Sequence, residues 1–132
     1  MSAPATQLFL YGKWLFNIDQ AQALLKDHLR DTKPTAVADW VAAYHLDQLT
    51  PGYDDARWCP VFGPDQSAFN AEHALQTDLN KPVIIATLEF DNGPAILLID
   101  GIHRMYRAMT EGRTTLPAHT LTTTETIRIR ER

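Results

Sequence analysis

Three observations predict an α+β fold. Apolar runs at residues 82–90 and 94–99 flank Asp91-Asn92-Gly93, and Asn-Gly supplies the positive φ angles that a tight hairpin turn requires. Upstream, apolar residues recur at helical spacing in two separate stretches. A further strand-like run, 116–121, follows a helical one. Strands and helices thus share a short chain, and the expected architecture is a small mixed sheet flanked by helices.

The elements follow in order. Residues 8–16 are apolar and aromatic and read as a strand or hairpin around Gly12-Lys13. Asn17 or Asp19 caps a helix on which Ala21, Leu24, Leu25, His28 and Leu29 recur at helical spacing, and Pro34 ends that region. Thr32 or Thr35 starts a second helix with Val37, Trp40, Val41, Tyr44 and Leu49 on its apolar face; Thr50-Pro51-Gly52 stops it. Residues 50–67 hold Pro51, Gly52, Pro60, Gly63 and Pro64 among Tyr53, Trp58 and Phe62, a composition that suits a packed functional loop. Ser67 or Asn70 caps a third helix, 68–79. Beyond the hairpin, 103–111 is helical and Gly112 suits its left-handed C-terminal position. A strand at 116–121 follows. Residues 122–129 are expected to be a last strand, because Thr and Ile favour that geometry. Arg128, Arg130 and Arg132 would then share one face of an edge, either tracking a nucleic-acid backbone or acidic partner, or keeping the edge from pairing with other strands.

Hydrophobic residues make up 45% of the 132 and charged residues 21%, enough for a core and too apolar for disorder. The length fits a single domain. No apolar run approaches the roughly 20 residues of a membrane span, and no basic-then-apolar start marks a signal peptide, so a cytoplasmic protein without a membrane partner is expected. Cys59 is the sole cysteine, which excludes an intrachain disulfide and argues against a structural zinc site. Charge is unevenly placed. Residues 1–100 carry six Lys/Arg against 13 Asp/Glu, whereas 101–132 carry six Arg against three Glu. The acidic body argues against broad non-specific nucleic-acid binding, which depends on phosphate neutralisation.

The most informative stretch is Asp100-Gly101-Ile102-His103-Arg104, with Arg107 one turn on. It joins a strand to a helix, and helix N-termini attract anions because their first N–H groups lack partners and the macrodipole is positive there. A cation in a first helical turn is mildly unfavourable on dipole grounds, which a nearby anion would offset. Arg104 is expected to be the main charged contact of a phosphate site, unless it is a solvated residue paired with Asp100. Asp100 is expected to cap the helix. Gly101 serves either close approach of a ligand or a positive φ. Arg107 either widens the anion site or lies on an exposed face. His28, His45, His73 and His119 show no HxxxH spacing; His119 could line the same cleft. Asp54 and Asp55, near Arg57 and Trp58, either hold Mg²⁺ beside a nucleotide or belong to a surface loop. No Ser-His-Asp arrangement, no GxxxxGK[ST] loop and no compelling general base can be read.

Residues 82–121, PVIIATLEFDNGPAILLIDGIHRMYRAMTEGRTTLPAHTL, resemble the ParB/sulfiredoxin-like superfamily, including its ParB-like nuclease domains. The resemblance rests on Asp100, Gly101, His103, Arg104, Ala108, Gly112, Leu116, Pro117 and Ala118, and covers under a third of the chain. It implies one ParB/sulfiredoxin-like domain over 1–132, with 1–80 a divergent N-terminal part. It also implies a phosphate site formed by Gly101, His103 and Arg104, with His103 and Arg104 as catalytic candidates and Asp100, Ile102 and Arg107 beside them. The bound species would be ATP or CTP with Mg²⁺, or a nucleic acid, and the activity that of an ATPase or nuclease. Sulfiredoxins place a catalytic cysteine where this chain has Ile102, so sulfinic-acid reduction is not expected. Partition proteins carry a helix-turn-helix domain downstream of the matching unit, whereas this sequence reaches Arg132 just after it. A non-catalytic interaction or regulatory module, with a protein partner, is the alternative.

Overall fold

The computed structural model describes residues 7–49 and 74–132. The expected functional loop at 50–67, with Asp54, Asp55, Arg57, Trp58 and Cys59, and the first half of the helix expected at 68–79 lie outside those residues; in the described half only Ala74 is helical, and 75–79 are turn and irregular chain rather than the expected helix.

The chain opens as the expected hairpin. β1 (Leu8–Tyr11) and β2 (Trp14–Asn17) pair antiparallel from Leu8↔Asn17 to Tyr11↔Trp14. Asn17 ends β2 and caps α1 (Ile18–Asp27), its Oδ1 accepting from the Gln20 N–H at 3.0 Å. Ala21 and Leu24 of α1 are buried, but the helix stops at Asp27 and Leu29 is 87% exposed. The expected stripe therefore ends early. Just beyond it, Arg30 donates to both carboxylate oxygens of Glu125 at 2.6 Å, a grip the chain reaches by leaving the helix.

Pro34 is not a simple break. It lies within β3 (Lys33–Ala36), an edge strand of a four-stranded sheet ordered β3-β6-β4-β5. An edge tolerates proline because only one side of it must donate to a ladder. α2 (Val37–Tyr44) follows at once, with Ala36 rather than Thr32 or Thr35 at its cap position. Thr35 Oγ1 instead accepts from Trp40 Nε1 at 2.8 Å. A 3₁₀ turn spans Leu46–Leu49.

β4 (Val83–Phe90) and β5 (Gly93–Asp100) form the second hairpin where the sequence predicts one, but the closing pair is Phe90↔Gly93, so Asp91 and Asn92 make the turn and only Gly93, the first residue of β5, has a positive φ (+122°). α3 (Ile102–Thr110) and β6 (Thr115–Thr120) complete the unit. β6 runs parallel to β4 (Val83↔Ala118) and antiparallel to β3 (Thr35↔Leu116), so the sheet is mixed. Val83 to Ala86 of the central β4 are all buried. Tyr44 joins α2 to the sheet, its buried hydroxyl donating to the Leu98 carbonyl at 2.7 Å.

Residues 122–129 correct the expected last strand: they form α4 (Thr123–Ile129). Thr122 Oγ1 accepts from the Glu125 N–H at 3.1 Å and Glu125 Oε1 accepts from the Thr122 N–H at 3.0 Å, a reciprocal capping box. Thr126 and Ile129, three apart, are the buried pair, and that spacing puts them on one helical face. Arg128 therefore sits on a helix and the row of three arginines along a strand is not formed. Only the last residues are extended: Glu131 N–H donates to the Leu15 carbonyl at 2.7 Å, and Leu15 N–H to that of Arg132 at 3.2 Å. No helix among the described residues is long and apolar enough to cross a membrane. The fold class is α+β, as expected.

Candidate functional site

β5 ends at Asp100 and α3 begins at Ile102, leaving Gly101 to make the joint. Its φ is +107°, a conformation L side chains rarely adopt. A Cβ there would stand 2.4 Å from Val83 Cγ1 and 2.8 Å from Val83 Cβ. Glycine is thus required by its backbone angle and by the approach of β4.

Asp100 is not the helix cap. The cap position falls one residue later, on Gly101, which brings no side chain to it. The carboxylate is engaged elsewhere: Oδ2 accepts from Arg104 Nη2 at 3.1 Å and Oδ1 from Gln7 Nε2 at 3.5 Å. Arg104 is not a solvated residue either. It is 7% exposed, and its Nη1 donates to the carbonyls of Lys81 and Pro82 at 2.9 and 2.8 Å. Arg107 turns away from the joint, with Nε on Glu111 Oε2 at 2.9 Å and Nη1 on the Thr77 carbonyl.

A cleft of about 380 Å³ opens at this joint. Its apolar lining residues are Leu8, Phe9, Ile18, Ile99 and Ile102. Its polar ones are Gln7, Thr77, Asp78, Lys81, Asp100, His103 and Arg104. The first intrahelical bond of α3 runs from the Met105 N–H to the Gly101 carbonyl at 2.9 Å, so the N–H groups of residues 102–104 lie ahead of it at the cleft end. The lining holds two cations, Lys81 and Arg104, and two carboxylates, Asp78 and Asp100, of which Arg104 and Asp100 are paired with each other.

Asp100, Gly101, Ile102, His103 and Arg104 are therefore gathered on one cleft; Arg107 and His119 are not among its lining residues. His119 lies on β6, its Nδ1 buried without a hydrogen-bond partner among the described residues. His28 stands at the C-cap of α1 and His45 at that of α2, while His73 lies outside the described residues. Among the described residues no three of His, Cys, Asp and Glu could hold a metal together.

Sequence reasoning missed Gln7, Asp78 and Lys81. For Lys81 a signal existed. Carried back one for one from the turn, the hairpin register sets residue 83 opposite residue 100; with one bulge the observed pair is Ile84↔Asp100. Either register brings residues 81–82 beside the start of α3. No protein-family model, curated protein or solved structure matches the chain.

Proposed function

We propose that this cleft binds a phosphate-bearing ligand, a nucleotide or the phosphate of a nucleic acid, in a domain of ParB/sulfiredoxin-like kind. One observation carries the reading: the N-terminus of α3 has no side-chain cap and borders a cleft of about 380 Å³ that also holds Lys81 and His103. An uncapped helix start offers N–H donors and a positive dipole end to an anion. Lys81 adds positive charge beside it, and His103 an imidazole. The apolar lining residues suit a base or sugar, and the volume lies within the range of small-molecule sites, roughly 300–1,000 Å³. The resemblance over residues 82–121 points to the same joint.

Mg²⁺ fits only as a companion of the phosphate. Such an ion commonly takes one or two carboxylates and completes its shell with phosphate oxygens and water. Asp78 would be its protein ligand, since Asp100 already serves Arg104. Binding, rather than turnover, is the activity the residues support, because no general base stands out in the lining. The commitment of Arg104 to Asp100 and two carbonyls favours a regulatory binding module as the second reading.

Calorimetric titration of ATP, CTP and GTP, each with and without Mg²⁺, tests the proposal. Wild type is expected to bind at least one, and Lys81→Ala and His103→Ala each to weaken it about tenfold, the loss of a charge-assisted contact. No binding of any nucleotide or of a short single-stranded oligonucleotide by folded wild type overturns it.

A further inference from the structure

Two arginines reach one short segment from adjacent turns of α3. Arg104 Nη1 holds the carbonyls of Lys81 and Pro82 at 2.9 and 2.8 Å, and Arg107 Nη1 holds that of Thr77. Residues 77–82 belong to neither helix nor strand. Their own bonds are local: Thr77 N–H to the Ala74 carbonyl, Asn80 N–H to Asp78 Oδ1, Lys81 N–H to the Asp78 carbonyl. Yet Thr77, Asp78 and Lys81 line the cleft. Arginine suits such a task because its planar fork presents several donors at fixed angles, whereas lysine is a flexible point charge. If Arg104 turned to a phosphate, two part-buried carbonyls would lose their donor, and an unmet polar group costs more than a formed bond contributes.

We propose that Arg104 and Arg107 are positioning residues that together clamp residues 77–82 as one wall of the cleft, and that Arg104 acts on a phosphate by placing Lys81, not by touching the phosphate. The clamp stands on the hydrogen bonds alone; the action on phosphate rests on the binding reading above.

Hydrogen exchange of the unliganded full chain tests the clamp. In Arg104→Lys and in Arg107→Lys, the amides of Thr77, Asn80 and Lys81 should exchange about tenfold faster, as expected for losing a bond from a charged donor, while the β4–β5 amides keep their protection. Unchanged exchange at those amides in both variants overturns the clamp. Should Arg104→Lys fail to fold, the half-buried Arg107→Lys decides it.

Titration with MgATP, MgCTP and MgGTP then reads the second half, using whichever wild type binds. Arg104→Lys should weaken binding about tenfold, because lysine cannot reproduce the arginine fork on two carbonyls, and the Lys81→Ala background separates positioning from a direct contact, which would lose the fork equally. Added to Lys81→Ala, Arg104→Lys should cost less than about twofold more, because the two act through one group. Additive losses, or wild-type affinity in Arg104→Lys, overturn positioning. Absence of binding of any nucleotide and of the single-stranded oligonucleotide by wild type overturns the phosphate reading and the second half with it, and exchange still decides the clamp.

Discussion

Replacing Gly101 by alanine probes the joint on which the cleft is built. Two costs apply. The backbone sits at φ +107°, which strains an L residue by about 1–3 kcal/mol. The new methyl would also lie 2.4 and 2.8 Å from Cγ1 and Cβ of Val83, a fully buried residue on the central strand that cannot swing aside. Overpacking of that kind costs about 1–3 kcal/mol. Together they predict a loss of about 3–4 kcal/mol, a large part of the roughly 5–15 kcal/mol that stabilises a domain. Gly93→Ala separates the two costs, because Gly93 has φ +122° and nothing within 4 Å of a built Cβ. It should lose the strain alone. Val83→Ala removes the 2.4 Å contact but keeps Cβ, so Gly101→Ala should be milder by about 1 kcal/mol in that background. Urea unfolding at constant m-value measures wild type, the three single variants and the double variant. A Gly101→Ala midpoint no lower than that of Gly93→Ala, or strict additivity with Val83→Ala, would refute the steric account.

Three further outcomes follow from the same packing. The Arg30 guanidinium, through two bonds at 2.6 Å, holds the Glu125 carboxyl at about 2 against an ordinary 4.5. A depressed folded-state value means that this stabilisation is complete above the ordinary value and drains away as pH falls toward about 2. For a partly exposed pair it is worth about 1 kcal/mol, so the urea gap between wild type and Glu125→Gln should shrink from pH 7 to pH 3; a constant gap contradicts it. Tyr44→Phe removes the buried bond to the Leu98 carbonyl and should cost about 1–2 kcal/mol. Burial pushes the Tyr44 hydroxyl far up, so tyrosinate absorbance up to about pH 11 should match in wild type and Tyr44→Phe while both stay folded. Thr122→Ala removes half of the capping box and should cost about 1 kcal/mol, with Thr122→Ser close to neutral; extended-strand chemical shifts over residues 123–129 would contradict the helix behind that prediction.

The elements legible in the sequence are those fixed by a residue acting on its immediate neighbours. Gly12 turns the first hairpin at φ +60°, Asn17 caps α1 with its own side chain, residues 91–93 place the second hairpin, though with Asp91-Asn92 as its turn, and Gly112 closes α3 at φ +74°. The misread elements needed information from elsewhere. Pro34 breaks a helix in any local view, but β3 exists because β6 offers it an edge. Residues 122–129 are rich in β-branched side chains, and that preference only describes fit to a half-buried pleated surface. The Thr-x-x-Glu signature was present at Thr122 and Glu125, and it prevailed because the helix also buries Thr126 and Ile129.

The location of the candidate site was legible; the tasks of its residues were less so. An arginine in the first turn of a helix signals that something must meet its charge, and an anion and a set of backbone carbonyls meet it equally well. The carbonyls that Arg104 uses belong to Lys81 and Pro82, more than 20 positions away, and carbonyls carry no side-chain signature. What brings them there is register. Once Asp91-Asn92 makes the turn, the strand that ends in Asp100 must lie against the strand that begins at Val83, and the residues just before that strand must pass the start of α3. A buried arginine beside such a crossing has partners within the fold before any ligand arrives. The same register carries Lys81 to the cleft, which His103, in the first turn of α3, also lines.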